Sequence, residues 1–258
     1  DDVESRGLGD VYKRQAQERP ILPSATQKRT KTRIVILMLL SIGTMINYLD
    51  RTILGIVAPK LTSEIHIDPA MMGIVFSAFA WTYALAQIPG GMFLDRFGNK
   101  LTYALSIFFW STFTLLQSFS VGLKSLLLLR LGLGISEAPC FPVNSRVVSK
   151  WFPQHERARA TATYTVGEYI GLAAFSPLLF LILEHHGWRT LFFLTGGLGI
   201  AFTFVWWKFY HEPHQSKTAN KAELEYIGVE NTASADENIP FNLSLIHISE
   251  PTRLDVIS

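Results

Sequence analysis

Two opposite charges lie next to each other inside an apolar run that is long enough to cross a lipid bilayer. Asp50 and Arg51 end the segment 47–51, Asn-Tyr-Leu-Asp-Arg, within the run from Ile34 to Val57. Each charge costs about 2.5–3.5 kcal/mol at the centre of a membrane helix on insertion scales, so each needs a partner or a water-filled cavity. The two charges are therefore either a structural ion pair or part of a pathway for a substrate or a proton, and ionisable residues inside membranes favour the pathway.

A second charged pair, Arg130 and Glu137, lies in another apolar run. Seven residues correspond to two helical turns and about 10.5 Å of rise, so both side chains lie on nearly the same face of a helix. They can line one cavity, or they can act only as contacts between helices. The same helix contains two glycines and two prolines, which permit close packing or interrupt the helix. An interruption is tolerated where a neighbouring helix or a cavity provides hydrogen-bond partners for the freed backbone groups. These residues are Gly132, Gly134, Pro139 and Pro142.

Three uncharged polar side chains can point toward the same interior. Tyr48 lies three residues before Arg51, and Tyr83 and Gln87 lie four residues apart on another apolar run, so each pair shares one face of a helix. Their hydroxyl and amide groups would suit the hydroxyls of a sugar. Packing with a single hydrogen bond is the equally open alternative.

The charged residues need a scaffold of membrane-spanning helices. Hydrophobic residues make up 48% of the 258-residue chain and charged residues only 17%, and the mean hydropathy is positive. Only helices could cross a bilayer at these segment lengths. The sequence therefore predicts an all-α, polytopic membrane protein with six transmembrane helices within 34–208, at about 34–57, 71–94, 101–121, 126–148, 161–183 and 190–208.

The distribution of lysine and arginine predicts the orientation of these spans. Within residues 16–242, thirteen lie before span one, in the links between spans two and three and between spans four and five, or at the end of span six and beyond it, against three in the other links. The positive-inside rule then puts both ends of the six-span unit in the cytoplasm. Four aromatic residues near span ends are expected to anchor at the membrane interface: Trp151, Trp206, Trp207 and Tyr210.

The two termini are related to each other through the genetic code. Residues 5–15 (SRGLGDVYKRQ) and 243–253 (LSLIHISEPTR) can be encoded by complementary DNA strands, in frame over all eleven positions. We therefore expect residues 1–15 and 243–258 to be a sequencing adapter translated at both ends of a library fragment. We also expect the natural protein to continue past Asn242.

Two polar segments flank the six spans. Residues 16–33 are basic and form the predicted cytoplasmic N-terminus. Residues 209–242 are polar and acidic, with a short helical pattern near 221–227. We predict that they begin a central cytoplasmic loop.

The link between spans two and three, residues 90–100, reads GGMFLDRFGNK. Its glycines allow a tight turn, and the Asp95 carboxylate can accept hydrogen bonds from helix N-terminal amides while Arg96 and Lys100 face water or acidic partners. We predict a cytoplasmic loop that takes part in conformational change, formed by Gly91, Asp95, Arg96, Gly98 and Lys100.

This link resembles the signature loop of the major facilitator superfamily, Gly-x-x-x-Asp-Arg-x-Gly-basic-basic. It departs from that pattern only at Asn99, where we expect one cytoplasmic contact to be weaker. Other segments resemble the anion:cation symporter branch of the family and look closest to galactonate- or glucarate-type sugar-acid importers. They are NYLDR at 47–51, RLGLGISEAPCFP at 130–142, WFPQHERARA at 151–160, YTVGEYIGLA at 164–173 and GWR at 187–189, so that the similarity covers nearly all of 33–230.

The resemblance implies a twelve-helix fold in two six-helix halves, of which this chain is the N-terminal bundle with the start of the central loop. It implies that Arg51 contacts a substrate carboxylate and that Asp50 and Glu137 carry protons. It further implies that Arg130 pairs with Asp50 in one conformational state. Related importers often have glutamine at the place of Glu168, so a carboxylate at this position shifts the preferred substrate or adds a proton site.

These features predict a proton-coupled symporter for a small organic anion, with a sugar acid as the favoured substrate, working by alternating access in the inner (plasma) membrane. A facilitator or exporter of the same superfamily is the alternative. The expected partners are the organic anion, protons, the lipid bilayer and the missing C-terminal half, with no nucleic acid, no metal and no cofactor besides the proton gradient.

An intramembrane enzyme or a scaffold is the rival from another class, and the sequence disfavours both. Neither His-Glu-x-x-His nor Gly-x-Ser-x-Gly occurs, so no catalytic residue is assigned. A scaffold would have no use for charges that are costly to bury.

Overall fold

In a computed structural model of the protein, which describes residues 28–228, every regular element in that range is helical. The long helices are α1 (Thr32–Ile65), α2 (Pro69–Gln117), α3 (Leu123–Glu137), α4 (Cys140–Trp151) and α5 (Gln154–Phe209). A 3-10 turn at Pro213–Gln215 and the short helix α6 (Lys221–Ile227) follow. The predicted adapter segments, 1–15 and 243–258, lie outside the described residues, as do parts of the two flanking polar segments.

Four helical runs are long and apolar enough to cross a membrane: α1, α2, the run Leu123–Trp151 and α5. Two of them divide at a glycine. Gly98 in α2 has φ 75° and ψ 174°, and Gly187 in α5 has φ 78° and ψ 170°. This region of backbone conformation is essentially restricted to glycine, so each helix consists of two segments that meet at a kink. The result is the six-helix, all-α membrane bundle that the sequence predicts.

The helix boundaries differ from the predicted spans at several ends: α1 continues to Ile65 rather than to about 57, and α5 begins at Gln154 rather than near 161. The third span ends at Gln117 rather than near 121, because the Ser118 hydroxyl donates to the Leu115 carbonyl at 2.6 Å and satisfies one carbonyl of the last turn. The fourth span, predicted as one helix over 126–148, breaks at Pro139, which has no amide hydrogen to continue the helical pattern. Gly132 and Gly134 lie inside α3 without interrupting it.

Apolar side chains form two buried clusters, one toward each end of the bundle. The first joins the start of α1 to the end of α5 and includes Ile46 and Trp110. The second joins the end of α1 to the middle of α5 and includes Leu54 and Leu191. The buried charged residues lie at the level where the two clusters meet, because Asp50 follows Ile46 by one helical turn and precedes Leu54 by another.

Three of the four aromatic residues predicted to anchor at the membrane interface are instead buried, so that prediction is wrong for Trp151, Trp206 and Tyr210. Trp206 and Tyr210 are four residues apart, share the inward face of α5 and stack with ring centroids 4.2 Å apart. The Trp206 indole donates to the Lys100 carbonyl at 3.2 Å. Trp207, on the next face of the helix, is 51% exposed.

The segment after α5 returns to the start of α1. Glu223 on α6 is buried, and its carboxylate accepts from the Thr30 hydroxyl and from the amides of Thr32 at 3.3 Å and Arg33 at 3.2 Å. A carboxylate in this position satisfies first-turn amides and complements the positive end of the helix dipole. This contact places both ends of the six-span unit on the same side of the bundle.

Candidate functional site

An ion pair between α1 and α3 forms the centre of the site. Arg51 contacts Glu137 Oε1 through both Nε and Nη2. The Glu137 side chain is 1% exposed, whereas the Arg51 side chain is 24% exposed. Breaking a buried pair of this kind by removing one partner costs about 3–5 kcal/mol. The two residues therefore act as a unit, with the arginine as the member that reaches the accessible side.

Four aromatic rings surround the Arg51 guanidinium. Its central carbon lies 4.8 Å from the ring centroid of Tyr83, 5.2 Å from Tyr48, 5.3 Å from Phe79 and 5.9 Å from Phe141. Phe79 stacks on Tyr83 at 5.7 Å, and Tyr48 meets Phe141 edge to face at 6.4 Å. Rings at these distances attract a cation and restrict the orientation of a planar guanidinium.

Asp50 and Arg130 complete a cluster of two arginines and two carboxylates. Both are buried, at 2% and 3% exposure. Arg130 lies close enough to Asp50 and Glu137 to interact with both charges, and its guanidinium is 5.9 Å from the Phe79 ring. Neither Asp50 oxygen has a hydrogen-bond partner within residues 28–228, although Trp110, Thr114 and Thr195 are near it. The pairing of Arg130 with Asp50 stays a prediction for another conformational state.

Close packing of α3 on α2 brings the charges against the aromatic rings. At Gly134, a Cβ atom would lie 2.7 Å from the Phe79 carbonyl oxygen and 3.0 Å from the Tyr83 amide nitrogen. A side chain there would separate the two helices. The small residue therefore sets the distance at which Arg130 and Glu137 face α2.

The structure gathers four of the five residues predicted to bind substrate. Arg51, Tyr48 and Tyr83 are in contact, and Glu168 is buried on α5 beside Tyr48 and toward Arg51. Gln87 is half-buried on α2, one helical turn beyond Tyr83. It is therefore on the same face but farther from the charged cluster.

Sequence reasoning did not identify Phe79 and Phe141. A signal was present, because Phe79 lies four residues before Tyr83 and Phe141 four residues after Glu137. Side chains with this spacing are neighbours on a helix or across a short interruption of one. An aromatic residue one helical turn from a candidate site residue would therefore have predicted both rings as part of the site.

The signature loop is held by side chains rather than by helix amides. Asp95 accepts from Arg146 Nη1 on α4 at 2.8 Å, so the expected contact with helix N-terminal amides is replaced by an ion pair. Gly98 provides the kink of α2, and Gly91 is half-buried one turn before Asp95. Arg96 is exposed, and the Lys100 ammonium lies 5.3 Å from the Trp207 ring centroid.

Asn99, the position that departs from the family pattern, makes a contact of its own. It is 1% exposed, and its Nδ2 donates to Glu212 Oε1 at 2.9 Å. Lys150 lies 3.5 Å from the other Glu212 oxygen, and the Tyr210 hydroxyl donates to Glu212 at 3.3 Å. Burial, together with the neighbouring Glu212 carboxylate, raises the pKa of the Tyr210 phenol well above its ordinary range. The departure thus joins the loop to the end of α5.

The site combines one partly accessible arginine, two tyrosines and two buried carboxylates. Among residues 28–228, no group of three or more His, Cys, Asp or Glu side chains could hold a metal ion. Cys140, three residues after Glu137, is buried.

Comparison with known proteins identifies relatives over most of the chain. The family model of the Major Facilitator Superfamily matches residues 40–251. A D-galactonate transporter of Escherichia coli O6:H1 is 47% identical over 206 residues, which cover 80% of this chain and 48% of the relative. The probable galactarate/D-glucarate transporter GudP of Escherichia coli K12 is 46% identical over 210 residues, which cover 79% and 47%.

A solved structure has the same arrangement of helices. It is a bacterial homologue of the human lysosomal transporter Spinster, in an inward-facing and occupied conformation. It matches with a TM-score of 0.63 and 26% identity, over 73% of this chain and 46% of the solved chain. The present chain thus spans about half the length of the curated relatives it matches.

Proposed function

This chain belongs to the major facilitator superfamily, and we propose that its six spans, joined to a second six-span half, form a proton-coupled symporter for a sugar acid such as galactonate, galactarate or glucarate. One observation carries the proposal. Arg51 is partly accessible and held among aromatic rings, and its only ionic partner within residues 28–228 is the buried Glu137.

Arg51 is suited to the carboxylate of a sugar acid. Its guanidinium presents parallel N–H donors that match a carboxylate, and the rings around it limit the entropy lost when an anion binds. The rings of Tyr48 and Tyr83 lie 5.2 Å and 4.8 Å from the central carbon of the guanidinium, and their hydroxyls can bind sugar hydroxyls. Gln87, one turn away, extends the same face. The names of the relatives agree with this substrate class.

The ion pair also supplies a coupling mechanism. While Glu137 is ionised, it holds Arg51 and competes with the carboxylate of a substrate for the same donors. A proton that binds Glu137 removes its charge and weakens the ion pair, which frees Arg51 for the substrate. Proton and substrate then bind together and leave together. Asp50, buried without a partner in the described residues, is the proposed second proton site.

The proposed symporter is a multi-pass protein of the inner membrane, with both ends of the six-span unit in the cytoplasm. The excess of lysine and arginine on the side of the chain ends supports this orientation. The contact of Glu223 with the start of α1 is consistent with it, because it joins the two ends on one side. A facilitator would use the same Arg51 site but would only equilibrate its substrate.

The test uses the full-length protein in proteoliposomes with labelled galactonate and glucarate. The unmutated protein should accumulate substrate above equilibrium when an inward proton gradient is imposed. Glu137→Gln, which mimics the protonated state, should retain counterflow between two substrate pools and lose gradient-driven accumulation. Glu64→Gln is the control, because Glu64 pairs with Arg189 outside the charged cluster. Full accumulation by Glu137→Gln would refute the proton role and leave a structural ion pair.

A further inference from the structure

Asn47 is a buried polar residue that the mechanism above does not use. It lies on α1 one turn before Asp50 and is 2% exposed. Both polar atoms of its carboxamide are buried without a hydrogen-bond partner in the described part of the chain. An unpaired buried polar group costs about 1–3 kcal/mol. A carboxamide that bonded to nothing in any state of the site would therefore only destabilise the protein.

The carboxamide lies beside the Glu137 carboxylate. Asn47 faces Glu137 closely enough to count among its polar neighbours, and Glu137 Oε2, the oxygen not used by Arg51, is likewise buried and unpaired within residues 28–228. The two neighbouring side chains thus have a buried donor, a buried acceptor and a buried carboxyl oxygen without hydrogen-bond partners among the described residues.

A carboxyl group that gains and loses a proton needs different partners in its two states. As a carboxylate it only accepts hydrogen bonds, and as a carboxylic acid it must also donate one. A neutral carboxamide supplies both, through its NH2 group and its carbonyl oxygen. An arginine serves only the carboxylate, because it has donors and no acceptor.

We propose that Asn47 is a positioning residue that stabilises Glu137 in both protonation states, as a donor to the carboxylate and as an acceptor from the carboxylic acid. This role rests on the proposed proton coupling at Glu137. It explains why a carboxamide without partners in one state is placed in the interior. It also predicts that Asn47 sets the pH at which Glu137 exchanges its proton.

Other groups face Glu137 and must stay constant in a test of this role. Each helix packed against Glu137, and α3 itself, contributes at least one of them, and α5 contributes Glu168 on the far side of Arg51. They are Asp50 and Arg51 on α1, Tyr83 on α2, Arg130 on α3 and Cys140 on α4.

The test compares two substitutions of the same shape in the full-length protein. Asn47→Thr keeps a group that donates and accepts, and Asn47→Val replaces that hydroxyl with a methyl group. We expect the pH midpoint of gradient-driven uptake to stay near that of the unmutated protein in Asn47→Thr. In Asn47→Val it should move by about one pH unit toward higher pH, because the hydrogen bond lost by the charged carboxylate is roughly twice as strong as the one lost by the neutral acid.

Two controls separate this role from a general packing effect. Asn144 is another buried amide, which donates to the Thr44 hydroxyl at 3.2 Å away from the charged cluster. Asn144→Val should leave the pH midpoint unchanged. Infrared difference spectra supply a second measurement, because the carboxylic acid C=O band that Glu137→Gln removes should shift in Asn47→Val and return toward its position in Asn47→Thr. If Asn47→Val did not fold, Asn47→Ala, which only removes atoms, would replace it.

The outcomes distinguish this inference from the proposed function. If the unmutated protein does not accumulate substrate with the gradient, the proposed function is wrong. If it accumulates substrate but Asn47→Val and Asn47→Thr share its pH midpoint and its C=O band, only the role of Asn47 is wrong. A midpoint that moves equally in Asn47→Val and Asn144→Val would also refute it, because the effect would then be one of packing.

Discussion

Arg51 shows why the type of cation matters at this site. A lysine would supply the same charge, but it is a compact ammonium that cannot present two parallel donors to a carboxylate or lie flat against a ring. Arg51 contacts Glu137 Oε1 through two of its nitrogens, and its central carbon lies 4.8–5.9 Å from four aromatic ring centroids. The planar group therefore fixes the direction from which an anion can approach.

Replacing Arg51 with lysine tests this argument. Arg51→Lys in the full-length protein keeps the charge and loses the planar donor pair, so the substrate concentration that gives half-maximal counterflow should rise about tenfold, or ~1.4 kcal/mol. Arg189→Lys is the matched control, because Arg189 also contacts a carboxylate, Glu64, and lies 4.2 Å from the Trp188 ring, yet is outside the cluster. Equal affinities in Arg51→Lys and the unmutated protein would remove Arg51 from the binding site.

The sequence predicted which residues are charged inside the membrane but not all of their pairings. Local spacing grouped Asp50 with Arg51 and Arg130 with Glu137, because neighbours along a helix are all that one sequence displays, and the resemblance paired Arg130 with Asp50. The structure instead pairs Arg51 with Glu137, 86 residues apart. Such a contact depends on the relative rotation and depth of α1 and α3, which apolar periodicity does not determine.

The kinks that divide two of the long helices have backbone conformations that favour glycine. A residue with a Cβ atom in the conformation of Gly187 would be strained by about 1–3 kcal/mol. Gly187→Ala should therefore lower the free energy of unfolding in detergent by that amount, and thermal unfolding would measure it. Gly197→Ala is the control, since Gly197 lies in a regular part of α5 where an added Cβ atom would have nothing within 4 Å. Equal stability of the two variants would show that the bend does not depend on glycine.

The contact of α6 with α1 provides a second test at the level of elements. Glu223→Ala removes the carboxylate that caps the first turn of α1 and leaves buried donors unpaired, at a cost of about 1–3 kcal/mol. Amide hydrogen exchange near residues 32–36 should become faster. Glu225→Ala on the same helix removes an exposed carboxylate whose one ionic contact within residues 28–228 is Lys221, at 4.0 Å, so exchange near residues 32–36 should not change. Unchanged exchange in Glu223→Ala would exclude a role for α6 in stabilising α1.

The number of helices was predictable from apolar runs, but which side chains near the helix ends are buried was not. Trp206 and Trp207 are adjacent, yet one is buried and the other is half-exposed, because successive residues on a helix point in different directions. Composition near a span end predicts an interfacial position for both. Only the packing of α5 against the link after Gly98 decides which ring is covered.

At the level of the molecule, the bundle has an extensive apolar exterior. Large side chains on α2 and α5 are more than half exposed: Trp81, Leu85, Ile88, Met92, Tyr169 and Ile170. A water-soluble protein seldom has so many on its surface, but a membrane bundle needs them toward lipid or toward another bundle. The sequence predicted this architecture from hydropathy, and the comparisons agree that a second half of similar length exists in the relatives.

The final prediction concerns the six-span unit by itself. Its helices satisfy their own backbone groups and bury two apolar clusters, so residues 16–242 should insert into a membrane and remain folded. Transport is a different requirement, because alternating access needs two bundles that move about one midplane site, and a single bundle leaves the Arg51 side chain 24% exposed.

Membrane flotation and uptake measure the two properties separately. The fragment should float with vesicles after alkaline extraction, yet show no gradient-driven accumulation of labelled galactonate under conditions in which the full-length protein does. Saturable, pH-dependent accumulation by the fragment would contradict this, and chemical cross-linking would then show whether two copies had assembled into a symmetric pair. If a monomeric fragment accumulated substrate, one bundle alone would contain the whole pathway, and the proposed requirement for a second half would have to be withdrawn.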